Sequence, residues 1–247
     1  MNKAEFFDLI RGQIFGGALN VDQVKHIEAI VDASAAAGWS IPYAAYALAT
    51  GQHETARFVH LKELGGVGYF TRMYDVRGNR PSLARSNGNV HPGDGPRFIG
   101  RGYVHLTWRN NYRRAGQKIG VDLESNPELA AEPGIAARVM IEGMQAGWFT
   151  GRAMRHYLDS SPPDYVGARR IINGTDKAAL IAGYARDYER ALRGAGYKPG
   201  KPTPAPVQAP PPVGAPLPKA PKPTPAPAVA GGFWSRFWQS LSRRMKG

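Results

Sequence analysis

The sequence predicts a mainly α domain with little strand, followed by a proline-rich linker and a short cationic helix. Three observations carry this. Apolar residues recur at helical spacing in six to eight segments between Met1 and Arg193. Sustained alternation of apolar and polar residues, the mark of half-buried strands, is missing over the same stretch. After Tyr197 the composition shifts abruptly, with 13 of the 21 prolines lying beyond it. The expected divisions are a domain over 1–196, a linker over 197–230 and a helix over 231–247.

Residues 2–18 predict a short helix with Phe6, Phe7, Leu9, Ile10 and Ile14 on its apolar side. Asn20 reads as the N-cap of a second helix over Val21 to Ala37, where Gln23 completes a capping-box pattern. Ser40 and Pro42 then open a central helix. From Ile41 to Gln52 that helix carries no charge, and its sides are all apolar or small, so it is expected to be buried nearly all round. Glu54 stands at its end, on the side of Tyr43, Ala47 and Phe58.

Tyr69 to Arg97 shows no periodicity and reads as one long loop, a feature that is usually functional inside a compact domain. Tyr103 to Thr107 predicts a short extended segment, with His105 and Thr107 on one side, and the chain turns helical from Arg109. Helices are also expected over Pro133 to Phe149 and from about Lys177 to Arg193.

The chain contains no cysteine, which excludes a disulfide framework and thiolate chemistry. Its formal net charge is +13, of which +8 lies from Tyr197 onward, where no acid occurs. A basic balance suits an anionic partner: nucleic acid, a lipid surface or a wall polymer. The surplus sits in a Pro-Lys tail without a nucleic-acid recognition motif, so nucleic acid is not expected as a partner. No uncharged apolar run approaches the ~18 residues of a membrane span, and the amino terminus does not read as a signal peptide.

Residues 199–230 favour extended polyproline II, with a reach on the order of 100 Å. Beyond them, Phe233, Trp234, Phe237 and Trp238 gather on one face of a helical projection, while Arg236 and Arg243 face away and Arg244 lies on the rim. That pattern suits a helix lying on an anionic lipid surface.

Two carboxylates invite glycoside hydrolysis, in which one acid protonates the leaving oxygen and a second carboxylate activates water or attacks. Glu54 fits the acid, since a site beside Tyr43 and Phe58 would raise its proton affinity. Glu63, in a Gly-rich loop, would be more solvated and fits the base. The plain alternative is a structural Glu54, paired with Arg57 or Arg101, and a surface Glu63. His53-Glu54 also resembles the start of a zinc HExxH motif, but the second histidine would fall at Arg57, so neither a zinc site nor any cofactor is expected.

The order of motifs narrows the choice. HETA, a second Glu in a Gly-rich loop, GDGPRFIGRGYVHLTWRNNY, NPELA and RRIINGT resemble glycoside hydrolase family 19, the chitinase-like group with a lysozyme-related fold, and especially its bacteriophage and bacterial peptidoglycan-cleaving branch. The resemblance runs over roughly Gly16 to Leu192. It implies an inverting mechanism with Glu54 as general acid, Glu63 as general base and Thr107 holding the water. It implies substrate-binding or organising roles for His105, Asn111 and Asn173, with Arg101 supporting the loop of the acid. The expected activity is that of an endolysin-type hydrolase, a monomer made in a host cytoplasm and acting on peptidoglycan glycan strands at the wall. A chitinase and a non-catalytic, basic wall- or membrane-binding protein are the alternatives.

Overall fold

The structure is a computed structural model that describes residues 1–201 of the 247-residue chain, so the expected linker and tail helix lie outside the described residues. Ten α-helices and two 3-10 turns make up the described domain, and β-pairing there is confined to isolated bridges.

Helix α1 (Lys3–Gln13) is capped by Asn2, and α2 (Val21–Ala36) starts with the capping box formed by Asn20 and Gln23. Helix α3 (Ile41–Glu54) follows Ser40 and Pro42. Every residue of it from Ala44 to Gln52 is buried, as its uncharged composition demands. The small side chains of Ala45, Ala47 and Ala49 let neighbours approach closely. The most extensive of these is α10 (Ala178–Gly194), whose buried Ala182 and Ala185 match them in size. Tyr188 of α10 donates to Gln52 Oε1 at 2.7 Å, and Tyr46 stacks on Tyr165 with ring centroids 6.2 Å apart. The packed body continues past α10. Tyr197 is buried and its hydroxyl donates to the Trp39 carbonyl, and the Gly200 amide donates to Ala35.

The stretch from Tyr69 to Arg97 is not one loop. It holds α4 (Val67–Tyr74), α5 (Pro81–Ser86) and α6 (Asp94–Arg97), each too short to show a helical period. Buried carboxylates organise the links between them. Asp75 accepts the amides of Arg77, Gly93 and Gly95, while Asp94 accepts those of Val90 and His91 and pairs with Arg109. Helices α7 (Arg109–Ile119) and α8 (Pro133–Ala146) then close a second apolar cluster around Phe98, Tyr112 and Val139.

The expected extended segment at Tyr103–Thr107 is instead a tight turn. Arg101 and Leu106 exchange both main-chain hydrogen bonds (3.1 and 2.8 Å), which closes the chain over Gly102–His105, and His105 takes φ +48°. Period-two reasoning therefore fails there. Arg101 also bridges to Lys62, which ties the turn to the segment carrying Glu63.

Gly102 has φ +76°, and a Cβ there would lie 2.7 Å from the Ala130 carbonyl oxygen. Gly102→Ala should therefore cost about 1–3 kcal/mol of unfolding free energy, read as a lower urea midpoint at unchanged slope.

Candidate active site

Two turns set the positions of the carboxylates. Helix α3 ends at Glu54, and the chain then reverses through three consecutive residues with positive φ: Ala56 (+50°), Arg57 (+65°) and Phe58 (+65°). Non-glycine residues resist this conformation, so neighbours must hold it. Thr55 Oγ1 donates to Gly51 and accepts the Phe58 amide, while Gln23 of α2 binds the Arg57 carbonyl at 2.9 Å. The Arg57 guanidinium donates to the Ile14 carbonyl and lies over the Phe15 ring. After the reversal, the Glu63 amide donates to Gly100 and the Gly102 amide to Leu61, so Glu63 is delivered against the Gly100–Thr107 turn.

Glu54 is 5 % exposed and meets Arg169 at 2.5 Å, itself 2 % exposed. Burial pushes the carboxyl toward its neutral form, but the Arg169 charge, with smaller pulls from His53 and His105, outweighs it and leaves the group below the usual carboxylate range. This corrects the expected raised proton affinity. The partner is neither Arg57 nor Arg101, and the Tyr43 hydroxyl is committed elsewhere, donating to Asp159. Arg169 sits on the 3-10 turn Gly167–Ile171, and its Nε donates to the Asp176 carbonyl.

Glu63 is as buried as Glu54, at 5 %, and not the solvated group expected from its glycine-rich surroundings. Two uncharged donors hold it: the Tyr74 hydroxyl at 2.7 Å on Oε1 and the Gly100 amide at 3.2 Å on Oε2. Burial raises its proton affinity, and the two hydrogen bonds offset that only in part. The carboxylates are thus driven apart, with Glu54 favoured as the anion and Glu63 holding its proton more tightly than an ordinary glutamate.

His105 interacts with Glu54 and stands near Glu63 Oε2. Burial lowers its proton affinity, while the Glu54 charge and the carbonyls of Glu54 and His60 pull it back up. Its Nδ1 and the Glu63 Oε2 both crowd the space above Gly100, where an added Cβ would stand 3.0 and 3.3 Å from them. The hydroxyl of Thr107, 8 % exposed, donates to the His105 carbonyl at 2.8 Å and keeps its oxygen lone pairs for a further partner. The Asn111 amide donates to the Thr107 carbonyl at 2.7 Å.

The remaining expected site residues are more distant in role. Arg101 is buried, donates to the carbonyls of Arg97 and Ile99 and to Tyr112, and pairs with Glu128. It therefore braces the turn beside Glu63 and not the end of α3. Asn173, half-buried, follows the Arg169 turn, where its amide donates to the Arg169 carbonyl and its Oδ1 accepts from Gly174. Among the described residues no three His, Asp or Glu side chains converge as metal ligands, and no helix is long and apolar enough to cross a membrane.

Arg169→Met strands a buried carboxylate and should cost about 3–5 kcal/mol of stability near neutral pH. Because the Glu54 pKa is depressed in the fold, the contribution of the pair is present above the ordinary glutamate pKa and lost as pH falls through the folded value. The penalty of Arg169→Met should therefore shrink in acid. Adding Glu54→Gln should restore most of the loss at neutral pH, measured by urea unfolding of the single and double variants.

A family model described as class I chitinase, glycoside hydrolase family 19, matches residues 39–155, a stretch that contains Glu54, Glu63, Arg101, His105, Thr107 and Asn111. An endochitinase of Arabidopsis thaliana is 31 % identical over 145 residues, which is 55 % of this chain and 47 % of the plant protein. The chain spans about half the length of the curated relatives it matches. Among solved structures, chitinase C of Streptomyces griseus HUT6037 has a TM-score of 0.53 at 20 % identity, covering 81 % of this chain and 78 % of its own. A bacterial family 19 chitinase has a TM-score of 0.51 at 22 % identity, covering 81 % and 96 %; at these identities the shared property is the fold. Residues 39–155 are thus similar to the chitinase-like glycoside hydrolases of family 19, and the described domain shares the fold of the solved chitinases.

Proposed function

We propose that the chain is an inverting glycoside hydrolase that cuts the β-1,4 glycan strand of bacterial peptidoglycan, an endolysin-type activity. The observation that carries the hydrolase reading is the pair of buried carboxylates, Glu54 and Glu63, each with its own partners and both against His105 in the Gly100–Thr107 turn. Water-activating and proton-donating carboxylates must be distinct in environment, and these two are.

In this mechanism Glu54 gives a proton to the leaving glycosidic oxygen. A glycan seated in the cleft removes the remaining water from Glu54 and adds to the burial that favours its protonated form, against the pull of Arg169. Glu63 takes a proton from the attacking water on the opposite face of the sugar ring. The lone pairs of the Thr107 hydroxyl orient that water while its own proton stays on the His105 carbonyl. His105, Asn111 and Asn173 organise the sugar-binding cleft.

The preference for peptidoglycan rests on the motif order and on the basic tail, which suits the anionic wall and membrane of a bacterium. Residues 233–247 are proposed to lie on anionic lipid, each exposed Lys or Arg contributing about 1 kcal/mol and losing strength with salt. A chitin substrate is the second reading, favoured by the plant and bacterial relatives, whose descriptions name chitinases.

Glu54→Gln should lower cleavage by about 10²–10⁴-fold while wall binding persists, and Glu54→Gln with Arg169→Met, which removes the stranded cation, should be as inactive at higher stability. Full activity in Glu54→Gln would reject the assignment. Mass spectrometry of early products from purified peptidoglycan and from chitin oligomers should show new reducing ends of inverted anomeric form on the preferred substrate. Activity needs Glu54 protonated and Glu63 ionised; with Glu54 below and Glu63 above the ordinary glutamate pKa of about 4.3 in the free enzyme, the acidic limb of kcat/KM should lie below that value and the alkaline limb, which reports Glu63, above it. Deleting residues 233–247 should weaken binding to phosphatidylglycerol vesicles and slow lysis of intact cells, with activity on soluble substrate unchanged. Equal binding by the shortened chain would remove the lipid role.

A further inference from the structure

The Tyr74 ring is held on several sides although it lies on a short helix. Phe70 stacks against it at 6.4 Å between centroids with an interplanar angle of 15°, and Trp108 packs edge-on at 5.0 Å. Its carbonyl accepts the Asn89 side-chain amide at 2.9 Å, and Asn89 Oδ1 accepts the Arg109 amide at 3.0 Å, which ties α4 to the start of α7. The next residue, Asp75, is 1 % exposed and gathers the Gly93 amide at 2.7 Å, the Gly95 amide at 3.2 Å and both the amide and Nε of Arg77 at 3.0 Å. Gly95 must be glycine for this, because a Cβ would stand 2.7 Å from the Asp75 nitrogen.

All of this structure converges on one hydroxyl, which donates to Glu63 Oε1 at 2.7 Å. A carboxylate on a loop, fixed by the Gly100 amide alone, would pivot about that bond. A second donor on the other oxygen fixes the plane of the group and leaves its remaining lone pairs aimed in one direction.

We propose that Tyr74 is a positioning residue for Glu63, and that the α4–α6 segment exists in this chain chiefly to hold that hydroxyl in place. The proposal rests on the reading of Glu63 as the base. The other groups facing Glu63 are Tyr69 of α4, Tyr112 of α7 and His105 of the turn, while the Arg80 charge acts on Tyr74 itself. The Tyr74 hydrogen bond favours the ionised form of Glu63 against burial, so its loss raises the proton affinity of the carboxyl further.

The test is Tyr74→Phe in the full chain, assayed on soluble peptidoglycan strands and on glycol chitin across pH. The alkaline limb of kcat/KM, which reports Glu63, should move up by about one pH unit, with kcat about tenfold lower and KM unchanged. A merely structural tyrosine would lower thermal stability and leave the limb in place, and that outcome overturns the proposal. Glu63→Gln separates the two layers. If it keeps wild-type activity, the base assignment fails; if it is inactive while the limb of Tyr74→Phe stays put, only the role of Tyr74 fails. Should Tyr74→Phe not fold, the unmutated protein labelled with 13C at Glu carboxyls and Tyr Cζ decides. A tyrosine Cζ signal moving with the midpoint of Glu63 supports the proposal, and no such signal rejects it.

Discussion

The buried ion pair of Glu54 with Arg169 is the constraint on which the rest of the domain depends. Two charges at 5 % and 2 % exposure are tolerable only together, since either one alone would face most of its desolvation cost uncompensated. The pair joins residues 115 apart and fastens the end of the central helix to the 3-10 turn that precedes α10. Helix α3 can therefore be apolar and small along its length and still end in a charge. The same contact sets the chemistry, because a carboxyl held by a guanidinium starts out as the anion. An acid role requires substrate binding to alter that balance.

Glu63 is secured in the opposite way, by hydrogen bonds from a phenol and an amide without a full opposing charge on either donor. The two glutamates illustrate how little burial alone decides. At equal exposure one loses its proton more easily than a free glutamate and the other less easily, because only one has a cation against it.

Much of this was legible in the residues. The Asn20–Gln23 box, the Ser40–Pro42 start and the uncharged run to Gln52 each obey a local rule, and the structure follows them within a residue or two. The ordered motifs also pointed to the family whose model matches residues 39–155, and they singled out Glu54 and Glu63, both of which the fold buries. The local environments were not legible. Arg169 lies in RRIINGT, within the resemblance, but nothing near it in sequence says that it crosses the core to Glu54. Tyr74 sat in a stretch without periodicity, where helices of eight, six and four residues leave no repeat to detect. At His105 an alternating polar pattern suggested a strand, yet Gly102 and the paired Arg101 and Leu106 make a turn whose side-chain directions follow no simple period.

The left-handed reversal at Ala56–Phe58 has a further consequence. Glu63 owes its position to main-chain pairing of Leu61–Glu63 with Gly100–Gly102, and the side chains in between take no part in that pairing. Exposed positions such as Val59 and Leu64 can therefore vary without disturbing that pairing. The turn itself is held more tightly, because Thr55 and Gln23 bond its backbone and the Arg57 side chain ties it to Ile14. Side chains can therefore change along this segment, while the pairing holds Glu63 at its place nine positions after Glu54.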